Sequence, residues 1–200
     1  MHNLAKTMRF LLILIGILTG IFIGVSSGMW LLKAEIANTS TKNGAWSYNP
    51  HVGSKDASGL TRAAVAVIGF LGLAKEESIY FIANKDDNND LLSGACSYKV
   101  TGMISPDDAR WWSITVYDTN TNKLIKNPQN HYSFNGDNIE NSQGGSFVFH
   151  ISANKKAGNW LPIQKDPQFD LTLRMYNPSK TSSEQIATLD LPKISKESCP

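Results

Sequence analysis

The sequence predicts a mainly β protein, an antiparallel sandwich or jelly roll with one packed α-helix, preceded by one N-terminal transmembrane helix. Three observations carry that prediction. Residues 10–32 form an uncharged apolar run. Residues 59–75 are the one later stretch with apolar residues at helical spacing. From Ser78 onward the apolar residues alternate instead, and turn residues punctuate the chain.

The run Phe10–Leu32 reads FLLILIGILTGIFIGVSSGMWLL, 23 residues without a charge. At a rise of ~1.5 Å per residue it is roughly 34 Å long, enough to cross a hydrocarbon core with some tilt. Lys6 and Arg9 precede it, which keeps residues 1–9 as a cytoplasmic stub and sends the rest across. Trp30 stands at the far end, where an indole suits a membrane interface. The expected location is a bacterial inner membrane, crossed once, with the C-terminal domain in the periplasm. A cleaved signal peptide is the alternative, since Val25-Ser26-Ser27 is small enough for a cleavage site. The run exceeds the usual h-region of about 7–15 residues, which favours a retained anchor.

The 168 residues after Leu32 are enough for one domain with its own core. They carry 17 basic and 17 acidic residues, so the exported part is formally neutral. No basic stripe is present, which argues against a nucleic-acid partner. Cys96 and Cys199 are the only cysteines, and an even pair in an oxidising compartment predicts a disulfide.

Residues 33–55 are polar, with Gly44, Asn49-Pro50 and Gly53, and read as a stalk. Trp46 and Tyr48 imply that its second half packs onto the domain, which then runs from 56 to 200. In 59–75 (GLTRAAVAVIGFLGLAK), Leu60, Ala64, Val67, Ile68 and Leu71 share a helical face and Ser58 can cap the start. Its charge-free part, Ala63–Ala74, is too short to span a membrane. Gly69 and Gly72 would let the helix lie close against a sheet.

Ile79, Phe81 and Ala83 then share one strand face, and Asp86–Asp90 (DDNND) reads as a turn. Strands follow at Cys96–Ile104 and around Trp112, Ile114 and Val116. Two more lie around Phe147, Phe149 and Ile151, and around Phe169, Leu171, Leu173 and Met175. Asn120–Asn122, Asn127-Pro128, Asn135-Gly136-Asp137 and Gly144-Gly145 separate them. Many short strands with one apolar face give the sandwich.

Several blocks in this order resemble the bacterial domain-of-unknown-function family 1214. They are Arg110-Trp111-Trp112-Ser113-Ile114-Thr115-Val116-Tyr117-Asp118, Gly144-Gly145-Ser146, Asn159-Trp160-Leu161-Pro162 and Leu173-Arg174-Met175-Tyr176-Asn177-Pro178. The likeness runs from about Thr61 to Ile194 and is greatest to the short, membrane-anchored envelope branch that carries this domain alone. It implies a jelly-roll-like sandwich and no established activity. One departure is the insertion of Ile163–Gln168 after the Asn-Trp-Leu-Pro block.

The DDNND turn lacks the Gly and Glu that a calcium loop of the EF-hand kind needs at its sixth and twelfth positions, and a hairpin turn is the better reading. His2, His51, His131 and His150 are not paired at ligand spacing, so neither a metal nor a cofactor is expected. No nucleophile elbow, phosphate loop or dinucleotide fingerprint occurs.

What remains is the polar side of three strands: Trp111, Thr115 and Tyr117; His150; and Asp170, Arg174 and Tyr176. Aromatic walls with a guanidinium and an imidazole suit a sugar or a carboxylate. The competing reading is the ordinary wet face of an antiparallel sheet, or a layer buried under the helix. Trp160, a further candidate, equally suits a packing anchor beside a proline turn. The expectation is therefore a binding or interaction module of the envelope, with a glycan, lipid or protein as partner. The alternative is a hydrolase-like enzyme acting on an envelope glycan or lipid head group through Arg174, His150 or Asp170.

Overall fold

In the computed structural model the apolar run lies inside one continuous helix, α1 (His2–Thr39). The structure describes residues 2–68, 71–140 and 144–199. From Lys6 to Ser27 every residue of α1 is exposed, so this part touches nothing in the domain. By length and composition the helix suffices to cross a membrane. Its last turn closes on side chains: Thr39 Oγ1 donates to Glu35 O and Ser40 Oγ to Ile36 O, both at 2.7 Å.

The stretch expected as a stalk is largely regular. Residues 33–39 extend α1, and β1 (Thr41–Asn43) and β2 (Trp46–Tyr48) form a hairpin about Gly44, which takes φ +61°. The hairpin continues a sheet, through Ser47 opposite Ile82. Trp46 fixes it: the indole is 1 % exposed and its Nε1 donates to Pro192 O at 2.6 Å.

The second helix, α2 (Gly59–Ile68), starts where Ser58 Oγ accepts from Thr61 N. It differs from expectation in length and in partner. It packs on the end of α1 rather than on a sheet, turning Thr61, Ala64 and Val65 inward. Leu60, Val67 and Leu71, expected on the buried face, are exposed, because Thr61 is tied to Glu35 of α1 and orients the helix. A Cβ on Gly72 would meet only Val65, and Gly69 lies outside the described residues.

The remaining strands are β3 (Ser78–Ala83), β4 (Ser97–Met103), β5 (Ala109–Asp118), β6 (Ser133–Asn135), β7 (Ser146–Ser152), β8 (Trp160–Pro162), β9 (Phe169–Pro178) and β10 (Lys193–Ser198). They make a six-stranded antiparallel sheet, β1-β2-β3-β9-β5-β6, and a four-stranded sheet, β10-β4-β7-β8. One pair departs from the antiparallel expectation: β8 runs parallel to β7. The Asn159 amide donates to Val148 O and to Glu140 O, each at 2.9 Å, and this clamp holds the returning chain in parallel register. A short helix α3 (Lys180–Glu184), capped by Ser179, and a 3₁₀ turn at Ile186–Thr188 follow β9.

The two sheets meet through their apolar faces. Phe81, Trp112, Ile114, Leu171 and Leu173 of the large sheet share one core with Tyr98, Val100, Phe147, Phe149 and Ile151 of the small one. Aromatic contacts cross between them, Trp112 to Phe147 at 4.5 Å and Tyr98 to Phe169 at 5.6 Å. Cys96 and Cys199 are joined by a disulfide, with Cα atoms 4.2 Å apart, tying the start of β4 to the end of β10.

Candidate functional site

Strand β9 lies in the middle of the large sheet, between β3 and β5. Its odd-numbered residues, Phe169 to Met175, fill the core, so Asp170, Thr172, Arg174 and Tyr176 stand on the outer face. Register sets their neighbours. Arg174 lies between Tyr80 and Ser113, Thr172 opposite Thr115, Tyr176 opposite Trp111, and Asp170 opposite Tyr117. Five of the seven residues singled out from sequence, Trp111, Tyr117, Asp170, Arg174 and Tyr176, therefore share one face.

That face has a floor and walls. Ser78, Tyr80, Ser113, Thr115 and Thr172 are buried although they point away from the core. Trp111 and Tyr176 lean together with ring centroids 5.5 Å apart, and Trp111 Nε1 donates to Asp137 Oδ2 at 2.8 Å. Arg174 donates from Nη2 to the Tyr117 hydroxyl at 3.0 Å, and its guanidinium carbon sits 5.4 Å from that ring's centroid. Among the described residues no ion pair involves Arg174. Asp170 bonds elsewhere, accepting from Thr119 Oγ1 at 2.9 Å. Burial pushes its carboxyl above the usual range, against the lowering effect of that hydroxyl. The Ser78 hydroxyl, beside Tyr176 in register, is buried with no hydrogen-bond partner among the described residues.

His150 and Trp160 are elsewhere. They are register partners in β7 and β8 on the outer side of the small sheet, so the protein core separates them from Arg174. His150 Nδ1 lies 3.1 Å from Glu197 Oε1, and Lys156 Nζ lies 3.3 Å from Glu197 Oε2. Burial alone would raise the Glu197 carboxyl, but His150 and Lys156 outweigh it and hold it below the usual range. The Trp160 indole donates to Ser152 O at 3.0 Å and so locks β8 to the end of β7, a structural use of that side chain. Arg174, Asp170 and His150 thus do not converge.

The sequence reading missed a cleft of about 270 Å³ beside Trp111, where Ser105, Arg110, Gly136, Asp137 and Gly145 come together. Its signal was present in two of the quoted blocks, Arg110-Trp111-Trp112 and Gly144-Gly145, which the fold brings to one end of the sandwich. A Cβ on Gly145 would fall 2.6 Å from Ile104 O, so the close approach of chain to chain there requires glycine.

The DDNND turn is held both from within and by β10, and the buried Asp86 Oδ2 has no hydrogen-bond partner among the described residues beyond its ion pair with Lys196. Asp86 Oδ1 accepts from the backbone of Asn88 and Asp90, Asp87 Oδ2 accepts from Ile194 N, and Lys196 pairs with Asp86 at 3.6 Å and with Asp90. Its cation is a lysine of β10, and among the described residues no three His, Cys, Asp or Glu side chains are arranged to hold a metal.

Two packed sheets behind a long apolar helix define a β-rich domain with an N-terminal segment outside it. The profile of the family described as "Protein of unknown function (DUF1214)" matches residues 77–180, and the chain belongs to that family. Among solved structures, the VPA0106 protein of Vibrio parahaemolyticus is similar over 72 % of this chain and 36 % of its own, at 24 % identity and a TM-score of 0.58. An uncharacterised protein of Burkholderia cenocepacia is similar over 62 % of this chain and 30 % of its own, at 20 % identity and a TM-score of 0.42. The chain spans about a third of the length of these structures, and the likeness to the first is one of fold. No curated protein matches the chain.

Proposed function

We propose that this is a single-pass protein of the bacterial inner membrane. Its jelly-roll-like domain stands in the periplasm and works as a binding module. An uncharged run behind Lys6 and Arg9, a helix exposed at every residue from Lys6 to Ser27, and a disulfide all support that placement. The mature protein then stays with the membrane through high salt and alkaline wash. A mature N-terminus near Gly28 by mass spectrometry would show cleavage instead.

The ligand face is the outer side of the large sheet, and the ligand carries a carboxylate or a comparable anion on a sugar-like body. One observation carries this reading: Arg174, half-buried on the central strand, is bonded to a neutral tyrosine hydroxyl and, among the described residues, to no carboxylate. A partly enclosed guanidinium without a counter-charge is costly, and a bound anion supplies that charge with bidentate geometry. Trp111, Tyr176 and Tyr117 offer flat walls along the same face for the rest of an envelope glycan. The test is a thermal-shift screen of the full-length protein in nanodiscs against neutral and carboxylate-bearing oligosaccharides, since specific binding stabilises by mass action. Stabilisation by acidic members alone, lost in Arg174→Ala, is expected. Equal response to both sets would sink the reading.

A further inference from the structure

α2 leaves an apolar stripe uncovered beside the membrane helix. Thr61, Ala64 and Val65 face α1, while Leu60, Val67 and, just past the helix, Leu71 are 39 %, 51 % and 71 % exposed. The other large apolar side chains exposed outside α1 among the described residues are Leu91, Met103, Leu124 and Val148, elsewhere in the domain. The one charge within α2, Arg62, is folded back, Nε on Ala57 O and Nη2 on Lys55 O, away from the stripe. No charge then occurs from Ala63 to Ala74.

The depth of α2 follows from α1. The first covered residue of α1 is Gly28, and Leu32, Glu35, Ile36 and Thr39 continue from it at helical spacing, with Ala34 also partly covered beside them. Thr61 Oγ1 donates to Glu35 Oε1 at 2.6 Å and fixes the start of α2 at that level. From Glu35 back to Gly28 is about 10 Å of helix axis, and α2 from Thr61 to its end is the same length. Gly28 lies about 6 Å inside the end of the apolar run at Leu32. Helices that lie in a bilayer interface bury their apolar faces by about 5–10 Å. Exposed Trp30 marks the same level, and the exposed Lys33 and Lys75 close the two uncharged segments on the water side.

We infer that α2 sits in the outer interface of the bilayer that α1 crosses, with Leu60, Val67 and Leu71 against lipid. The inference rests on the proposed reading of α1 as a retained span. It makes the membrane contact a two-helix foot, which holds the domain's orientation as well as its distance from the surface.

The experiment uses the full-length protein in anionic-lipid vesicles, with a nitroxide attached to Val67→Cys, Leu14→Cys or Val148→Cys. The native cysteines are paired, so the introduced thiol alone reacts. Collision with dissolved oxygen, relative to a water-soluble nickel chelate, reports depth. Position 67 is expected several-fold above position 148 and below position 14. If 67 matches 148 while 14 reads lipid, the anchor stands and the inference fails. If 14 also matches 148, the anchor reading itself fails and takes the inference with it. Shielding of position 67 from both reagents would mean that protein covers the stripe, which overturns a lipid occupant.

Discussion

On the small sheet the outward side chains Lys99, Met103, Val148 and Ser195 are exposed, and His150 is held by surface charges. On the large sheet the outward Ser78, Ser113, Thr115 and Thr172 are buried, and Arg174 is half-buried. Both faces arise from the same alternation, so alternation does not set depth. Side-chain length does. On β5 and β9 the short Ser113, Thr115 and Thr172 are interleaved with the long Trp111, Tyr117, Arg174 and Tyr176, which are tall enough to shade them. The small sheet has no such sorting along β4 and β10, and its outward side chains there stay open to solvent. A half-enclosed polar face can select a ligand, whereas a wet one binds only through exposed charge.

The largest expected effect separates the sheets by what holds them. The small sheet's edge strand β10 is tied by the disulfide across 103 residues and by the Asp87–Ile194 and Lys196 contacts, whereas β9 is paired on both sides along its length. Reduction, or Cys96→Ser with Cys199→Ser, is expected to cost roughly 4–5 kcal/mol on the chain-entropy view. Hydrogen exchange should then rise first in β10 and β4 while β9 stays protected. Simultaneous loss of protection in both sheets would make them one cooperative unit and end the distinction.

The second effect concerns the half-enclosed face alone. Arg174→Ala removes a hydrogen bond to a neutral hydroxyl and a cation–π contact, so it should change stability by only about 1 kcal/mol. It should abolish binding of the anionic ligand, and Arg174→Lys should restore part, because an ammonium lacks the planar fork. His150→Ala, on the wet face, should leave binding intact. A ligand response lost in His150→Ala and kept in Arg174→Ala would exchange the roles of the two faces.

Much of the β framework was legible. The strands at 78–83, 97–103, 109–118, 146–152 and 169–178 follow the alternation, and the disulfide follows from the even count. Pairing order was not legible, because period two says which face a residue takes and not which strand lies beside it. Hence Arg174 and His150, both outward, could not be assigned to opposite sheets. The hairpin at 41–48 was hidden by its polar residues, and only Trp46 and Tyr48 pointed to its packing on the domain. The orientation of α2 was misread because its apolar residues surround the helix, and a hydrogen bond from Thr61 to Glu35 decides which side is covered.

A smaller effect reads the enclosure of the large sheet directly. The Asp170 carboxyl is raised from its ordinary 3.8 because burial penalises the charge. A raised folded value means that the unfolded chain ionises first, so this group lowers stability once pH passes the ordinary value. Asp170→Asn should therefore stabilise the protein at neutral pH, by less than about 1 kcal/mol, since the Thr119 hydroxyl can still donate to the amide oxygen. The advantage should shrink as pH falls toward 3.8. A variant less stable at neutral pH would mean that Asp170 is held as an anion.

The smallest effect has the opposite sign and belongs to the wet face. His150 and Lys156 hold the Glu197 carboxyl below its ordinary 4.5, overcoming a burial effect in the other direction. A depressed folded value contributes stability above the unfolded value, and that contribution is lost as pH falls through the folded one. Glu197→Gln should destabilise at neutral pH by no more than about 0.5 kcal/mol, because an ion pair this open to water is weak and screened. The loss should fade in acid, where the wild-type carboxyl is also neutral, and should shrink in high salt. The two carboxylates thus give stability profiles of opposite slope, measurable as melting temperature against pH for each variant minus wild type. If Glu197→Gln and Asp170→Asn shift with the same sign, the two outer faces share one electrostatic environment, and the enclosure argued for Arg174 loses its independent support.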